Sequence, residues 1–413
     1  MLSFKNRYYG WNIVAALAIT ETVSWGIVYY AFTVFIVPME AEFGWTRAQL
    51  AGAFSTALLV SGVMAIPVGF WIDRYGARGL MTAGSICATA LFYAFSQVTT
   101  LRQLYLVWMG LGITMAAILY EPAFVVVAKW FTRKRSTALA IVTFAAGFAS
   151  TIFLPLSNWL LQTYGRQQAV VILTIILAVV TIPLHALVLR REPRDLGLGM
   201  DGDPLEGEAG DGLVSAEKSP TDVAWNDALR GSAFWWIVLA FATANMASIA
   251  LKVHFLPLLL DRGYGSDFAA WIAGFIGAAQ VFGRVLYAPV GTKLPGKRVV
   301  IGLFVLQAFA FGLLWLTDSL VSLWVFVIVF GAAHGAITLA RPAMIADVFG
   351  AAQFGRISSI MTVIQRFAST AAPYGVGFLY IYFSNNYNPV LIILLCVSLF
   401  AALAIGSMNS AEV

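Results

Sequence analysis

Charge is scarce in this chain. Only 11% of its 413 residues are Asp, Glu, Lys or Arg, while 60% are hydrophobic. Soluble domains carry about 25% charged residues, so too little polar surface exists to coat a water-soluble globule of this size. A soluble enzyme, a nucleic-acid-binding protein and a disordered chain are excluded, and the mean hydropathy of +0.84 agrees. Cysteine is nearly absent. Cys87 and Cys396 both sit in apolar runs and supply neither a disulfide framework nor a metal-ligand spacing. No G-x-x-x-x-G-K-[ST] sequence occurs, which argues against nucleotide-driven work, and no cofactor motif appears. The first apolar run, 11–38, exceeds the ~7–15-residue core of a secretory signal and lacks a small-residue cleavage site after it. It reads as a first membrane span.

What is present is a succession of long apolar runs. A spanning helix needs roughly 20 apolar residues. Twelve such runs fall at 11–38, 46–72, 79–97, 103–128, 136–161, 167–189, 233–260, 268–291, 299–317, 320–346, 355–383 and 389–408. Within lipid every backbone group must be paired internally, so these runs read as helices. The stretch 191–232 differs: it holds ten acidic residues, among them Asp201, Asp203, Glu206, Glu208 and Asp211, and reads as a solvated linker. The expected organisation is an all-α membrane protein with an N-terminal six-helix bundle (1–190), a linker (191–232) and a C-terminal six-helix bundle (233–413).

Lys and Arg set the orientation. Seventeen of the 25 fall on the side shared by the termini and the linker, and four (Arg47, Arg102, Arg166, Arg262) on the other. Termini and linker are therefore expected to be cytoplasmic. Short termini and compact loops point to a bacterial inner membrane.

The halves repeat. Ala51-Gly52 and Pro67-Val68-Gly69 recur as Ala273-Gly274 and Pro289-Val290-Gly291, at an offset of 222 throughout. Phe148-Ala149-Ser150-Thr151 recurs as Phe367-Ala368-Ser369-Thr370, Pro122 answers Pro342, and Trp11, Ile13 and Val14 match Trp235, Ile237 and Val238. Two like repeats meeting at a central cavity describe a rocker-type carrier working by alternating access.

Gly69-x-x-x-Asp73-Arg74-x-Gly76-x-Arg78 follows the second run. Its glycines allow close helix approach and a tight turn, and Asp73, Arg74 and Arg78 can grip neighbouring helix ends as a gate. The stretch resembles the loop signature of the major facilitator superfamily, G-x-x-x-D-R-x-G-R-[KR], with Ala77 in place of a basic residue. Tyr9-Gly10-Trp11 and the stretch from Trp130-Phe131 through Arg133-Lys134-Arg135 to Ala146-Gly147 are similar to two patterns of the monocarboxylate transporter family. The related oxalate:formate exchangers share much of the second, and Ile141 stands where a Gly is usual.

Ionisable residues inside spans are costly, about +2.5–3.5 kcal/mol for a mid-helix Arg, and tend to mark a transport path. Arg284 in the eighth run and Arg366 in the eleventh answer Gly62 and Gly147 of the first half, where room is left. A guanidinium holds a carboxylate through two parallel hydrogen bonds and stays charged at physiological pH. A permanent pairing with Glu21 or Glu121 is the purely structural alternative. The family resemblance implies that Arg284 anchors the substrate, and Arg366 is similar to a second cation of the oxalate exchangers. Gln280 lies one turn before Arg284 on the same face, where proton-coupled relatives carry an acid.

Tyr120, Tyr29 and Tyr30 are candidate substrate donors. Pro122 is expected to kink its helix, and Glu121 with Arg341, its repeat equivalent, forms a candidate gate pair. His254, Glu21 and Glu121 are candidate proton carriers. His254 reads equally as a structural histidine. Lys252 reads as snorkelling outward, and His185 and His334 carry no assigned role. Gly110-x-Gly112 and Gly375-x-Gly377 read as packing faces.

The expected function is secondary active, proton-coupled transport of a small carboxylate such as lactate or pyruvate by a monomer in the lipid bilayer. The alternatives are an oxalate-like dicarboxylate exchanger and, in another class, a membrane sensor or structural protein.

Overall fold

The computed structural model describes residues 8–203, 225–291, 296–317, 319–350 and 354–408. Glu206, Glu208 and Asp211 of the linker lie outside the described residues, as does the side chain of Asp73. The described chain is almost wholly helical: α1 (Gly10–Ser24), a π-helical turn (Trp25–Tyr30), α2 (Phe32–Phe43), α3 (Arg47–Tyr75), α4 (Ala77–Ser96), α5 (Leu101–Ile118), α6 (Tyr120–Trp130), α7 (Arg135–Gly147) and α8 (Ala149–Pro183) come first. After short turns follow α9 (Trp225–Arg230), α10 (Ser232–Asp261), α11 (Ser266–Gly291), α12 (Gly296–Leu316), α13 (Leu320–Phe349), α14 (Phe354–Thr370), α15 (Ala372–Tyr382) and α16 (Asn388–Gly406).

Ten stretches among the described residues are long and apolar enough to cross a membrane. The difference from the twelve runs of the sequence has two local causes. The fifth and sixth runs merge in one 52-residue stretch, Thr137–Val188, which bends at Gly165, where φ is 76°. The eleventh run is divided at Ala371 into α14 and α15, with Pro373 in the first turn of α15. A proline there has no N–H to give back to the helix above it. The expected kink at Pro122 is present as a full break: Leu119 leaves the helical region (φ −95°, ψ −163°), dividing α5 from α6. Gly76, with φ of 81°, makes the expected tight turn between α3 and α4, and a Cβ there would meet the Arg191 side chain at 2.8 Å.

By contact the chain forms two compact units, one of Met1–Phe43 with Thr56–Gly212 and one of Gly44–Ser55 with Leu213–Val413. The first turns of α3 belong with the second unit because Gly377 packs on the Ala48 backbone and Ser55 Oγ accepts from the Tyr374 amide at 3.3 Å. Gly377 and Gly112 are close-packing positions, as expected, whereas nothing lies within 4 Å of a Cβ at Gly375.

Small residues set the closest helix pair of the second unit, α11 against α13. A Cβ at Gly283 would lie 2.0 Å from the Ala332 carbonyl oxygen, and one at Gly335 would lie 2.0 Å from that of Gln280. Absent side chains let these backbones touch, which brings the Gln280–Arg284 turn of α11 up against the His334 turn of α13. Most of the large side chains exposed at the surface are apolar, as lipid contact requires, among them Phe70, Trp235 and Trp271. Trp108 and Trp130 are fully buried: Trp108 packs on Phe32 at 4.4 Å and Trp130 on Tyr8 at 5.8 Å.

Candidate functional site

In the first unit the π-helical turn gathers the aromatic candidates. Glu21 is fully buried, and its Oε2 accepts a 3.1 Å hydrogen bond from Trp25 Nε1, one turn later on the same face. Glu21 Oε1 makes no hydrogen bond among the described residues. Trp25 packs at 4.9 Å on both Tyr29 and Tyr120 and at 6.4 Å on Tyr30. Tyr29, Tyr30, Tyr120 and Glu21, separate candidates in the sequence, therefore share one indole. The break at Leu119 makes Tyr120 the first residue of α6, with Glu121 beside it in the first turn. Trp25 is the residue that sequence reasoning missed; a π-helical insertion, often found at functional sites, has no periodic signature in an all-apolar run.

In the second unit three nitrogen-bearing side chains from three helices converge. Lys252 Nζ of α10 lies 3.1 Å from His334 Nε2 of α13, and the Arg284 charge, on α11, acts on both. Lys252 therefore does not snorkel outward: its partner is an imidazole of α13 inside the unit. An ammonium has only donors, so Nε2 accepts and the proton of neutral His334 sits on Nδ1. Nδ1 is buried without a partner among the described residues. Gln280 is buried one turn before half-buried Arg284, and its Nε2 likewise has no partner among the described residues.

Next to this cluster lies a cavity of about 330 Å³ walled by Phe241, Asn245, His334, Thr338, Arg341 and Gln365, with Ile337 and Pro342. Arg341 Nη1 donates to Gln365 Oε1 at 2.7 Å, and Nη2 donates to Thr362 Oγ1. Arg366, the sequence candidate, is half-buried on α14 beside Gln365; Arg366 and Arg284 are not among the described residues of this wall. Glu121 and Arg341 belong to different units.

His254 sits in a separate network. Its Nε2 donates to the Pro373 carbonyl at 2.9 Å, and its Nδ1 accepts from Tyr387 at 2.9 Å. Arg47 reaches the same hydroxyl at 3.2 Å and forms a two-pronged ion pair with Asp261, one prong at 2.7 Å. Tyr380 also donates to Asp261, at 2.9 Å. Both imidazole nitrogens are thus engaged, as in a structural histidine. Among the gate candidates, Arg74 is exposed with its guanidinium 5.2 Å from the Tyr75 ring, and Arg78 Nε donates to the Ala186 carbonyl at 2.9 Å.

Outside the spans, Asp201 caps the loop carrying Arg133-Lys134-Arg135. Its carboxylate accepts from the amides of Thr132, Arg133 and Lys134 at 3.0, 2.7 and 3.2 Å. Burial alone would raise the Asp201 carboxyl, but these three N–H groups and the Arg133 charge hold it below the usual carboxylate range. Nearby Tyr8 donates to the Trp130 carbonyl at 2.8 Å, and burial, aided by the Asp201 charge, pushes its hydroxyl up to about 12.

The family model of the Major Facilitator Superfamily matches residues 17–279 and 254–408. Monocarboxylate transporter 13 of Bos taurus is 27% identical over 290 residues, covering 70% of this chain and 63% of that protein, so the match spans less than two thirds of that relative. Monocarboxylate transporter 12 of Rattus norvegicus is 23% identical over 98% of this chain and 86% of that protein. The MFS-type transporter YcxA of Bacillus subtilis (strain 168) is 24% identical over 89% of this chain and 87% of that protein. Among solved structures, an inward-facing, occupied bacterial homologue of the human lysosomal transporter Spinster superposes with a TM-score of 0.72 at 16% identity, covering 97% of this chain and 96% of that one. The repeated helices, the loop signature and these matches agree: the chain is a multi-pass membrane transporter, not an enzyme, and it belongs to the Major Facilitator Superfamily.

Proposed function

We propose that this transporter moves a small organic anion, a monocarboxylate of lactate or pyruvate size, coupled to a proton by alternating access. The observation that carries the reading is the meeting of Lys252, His334 and Arg284 inside the spans of the second unit. The Lys252 ammonium and the Arg284 guanidinium repel each other beside neutral His334, and a bound carboxylate relieves that repulsion while supplying the charge balance that lipid demands. Arg284 grips the carboxylate as a two-pronged donor, with Gln280 beside it. Within the first unit, Tyr120, Tyr29 and Tyr30, gathered on Trp25, are the candidate substrate contacts. Glu21, whose hydrogen-bond partner among the described residues is Trp25, is the favoured proton carrier, and Glu121 is the second. His254 is held by its two contacts and is assigned to the structure. The names of the curated relatives support the substrate class, and the excess of Lys and Arg at the termini and linker supports a cytoplasmic location for both. The bacterial relative supports an inner membrane.

Arg284→Ala tests the reading. Purified protein reconstituted in vesicles should take up labelled L-lactate under an inward proton gradient, and the variant should lose uptake while keeping its yield and melting temperature. Uptake at the wild-type rate by the variant would sink the assignment.

Exchange of an oxalate-like dicarboxylate is the second reading, favoured by the additional half-buried cation Arg366 on α14. Entry of labelled oxalate only into vesicles preloaded with oxalate would select it.

A further inference from the structure

We infer that the cavity walled by Arg341, Gln365 and His334 is a carboxylate-binding subsite within the second unit, separate from the Arg284 position. The inference rests on the organic-anion reading and deepens it.

The wall is built for an anion. Arg341 is held by Gln365 and Thr362, with a longer contact to Ser358 at 3.5 Å. All three partners are neutral, so among the described residues they orient the guanidinium without cancelling its charge. The bond from Arg341 to Gln365 Oε1 also fixes the amide. The oxygen faces the guanidinium, and Nε2 is left as a donor, buried and without a partner among the described residues. Gln365 is only 4% exposed and His334 only 8%. The Lys252 contact sets the proton of His334 on Nδ1, which has no partner among the described residues either. The Arg341 guanidinium thus lines this space with Gln365 and His334 beside it, and no carboxylate lines it among the described residues.

An anion's oxygens accept from the Arg341 guanidinium. A buried donor left unsatisfied costs roughly 1–3 kcal/mol, and a turn of the Gln365 amide or the His334 ring toward the bound anion removes that cost. Phe241 and Ile337 supply apolar surface for the remainder of the ligand. The volume of about 330 Å³ lies at the small end of ligand sites, about 300–1,000 Å³, which suits an organic acid of a few carbons. The Thr338 hydroxyl and the Asn245 amide in the same wall offer acceptors to a hydroxyl on the ligand, so 2-hydroxy acids should be held better than their unsubstituted counterparts.

The test uses the full-length protein in vesicles and in detergent, with L-lactate and propionate as probes. Wild-type protein should be thermally stabilised by L-lactate more than by propionate. Arg341→Gln and Gln365→Leu should each raise the KM for L-lactate about tenfold to a hundredfold, the range of a lost charged hydrogen bond, with little change in maximal rate. Arg341→Lys, which keeps the charge but loses the planar fork, should fall between. A purely structural role for Arg341 would instead lower melting temperature and yield and leave the KM of the surviving protein unchanged. An unchanged KM in both Arg341→Gln and Gln365→Leu, with wild-type protein still responding to L-lactate, would overturn the subsite and leave the organic-anion reading standing. No response of the wild type to any of a panel of two- to five-carbon mono- and dicarboxylates would overturn both.

Discussion

One of the two tightest glycine contacts described in the second unit makes a quantitative demand. Gly335→Ala adds a Cβ 2.0 Å from the Gln280 carbonyl oxygen, against 3.4 Å where ordinary contact begins, a shortfall of 1.4 Å. The obstacle is backbone, so the helices α11 and α13 must part or shear. Alanine in a helix interior gains about 0.5–1 kcal/mol over glycine, while overpacking costs typically 1–3 kcal/mol, so the clash wins. Gly375→Ala has the same gain with nothing within 4 Å and should be neutral or stabilising. The two variants therefore shift melting in opposite directions. Parting α11 from α13 also moves Arg284 from His334, so Gly335→Ala should raise the KM for L-lactate by about tenfold, equivalent to 1.4 kcal/mol. Thermal melting in detergent and uptake in vesicles read the two effects. Wild-type melting and KM in Gly335→Ala would refute the claim that this glycine contact positions the cationic cluster.

Other consequences follow from separate contacts. Asp261→Asn removes the charge opposite Arg47, which is 5% exposed where Asp261 is 30% exposed. Breaking a fully buried pair costs about 3–5 kcal/mol, and the solvent reaching Asp261 reduces the expected loss to roughly 1–3 kcal/mol, read as a lower melting temperature that Arg47→Ala does not lower further. Glu21→Gln keeps an acceptor for Trp25 and removes the acid; it should abolish proton-driven accumulation of L-lactate yet retain counterflow, and accumulation at the wild-type level would exclude Glu21 as the carrier. The Asp201 carboxyl is held below its usual range, about 3.9 for an unperturbed Asp, so its docking is fully present above about pH 4 and lost as pH falls through the depressed value. Hydrogen exchange at the amides of Thr132, Arg133 and Lys134, normalised to intrinsic rates, should lose protection over that interval, and at every pH in Asp201→Asn.

The helical runs and the repeat were legible because lipid imposes length and apolarity on each span. The breaks at Pro122 and Gly76 were legible because proline and glycine act locally. The partnerships were not. Trp25, Lys252–His334, Arg341–Gln365 and Arg47–Asp261 each join residues from different turns or different helices, and helices apolar on every side give no phase from which to read which face meets which. Lys252 illustrates the point: its stem and charge fit a snorkelling side chain equally well, and only the placing of α13 beside α10 brings an imidazole to it. The cavity is the larger omission. Sequence reasoning weighed Arg341 as a gate residue and chose Arg366 on α14, whereas the cavity wall carries the neighbouring Gln365.

The central claim is that fixed positive groups in the spans of the second unit hold the negative charge of the solute. Equilibrium binding of L-lactate and of L-lactamide, its neutral isostere, to the purified protein in lipid nanodiscs tests it most directly. The account predicts saturable binding of L-lactate, lost in Arg284→Gln, and none of L-lactamide at the same concentrations; equal binding of the two by the wild type would contradict it.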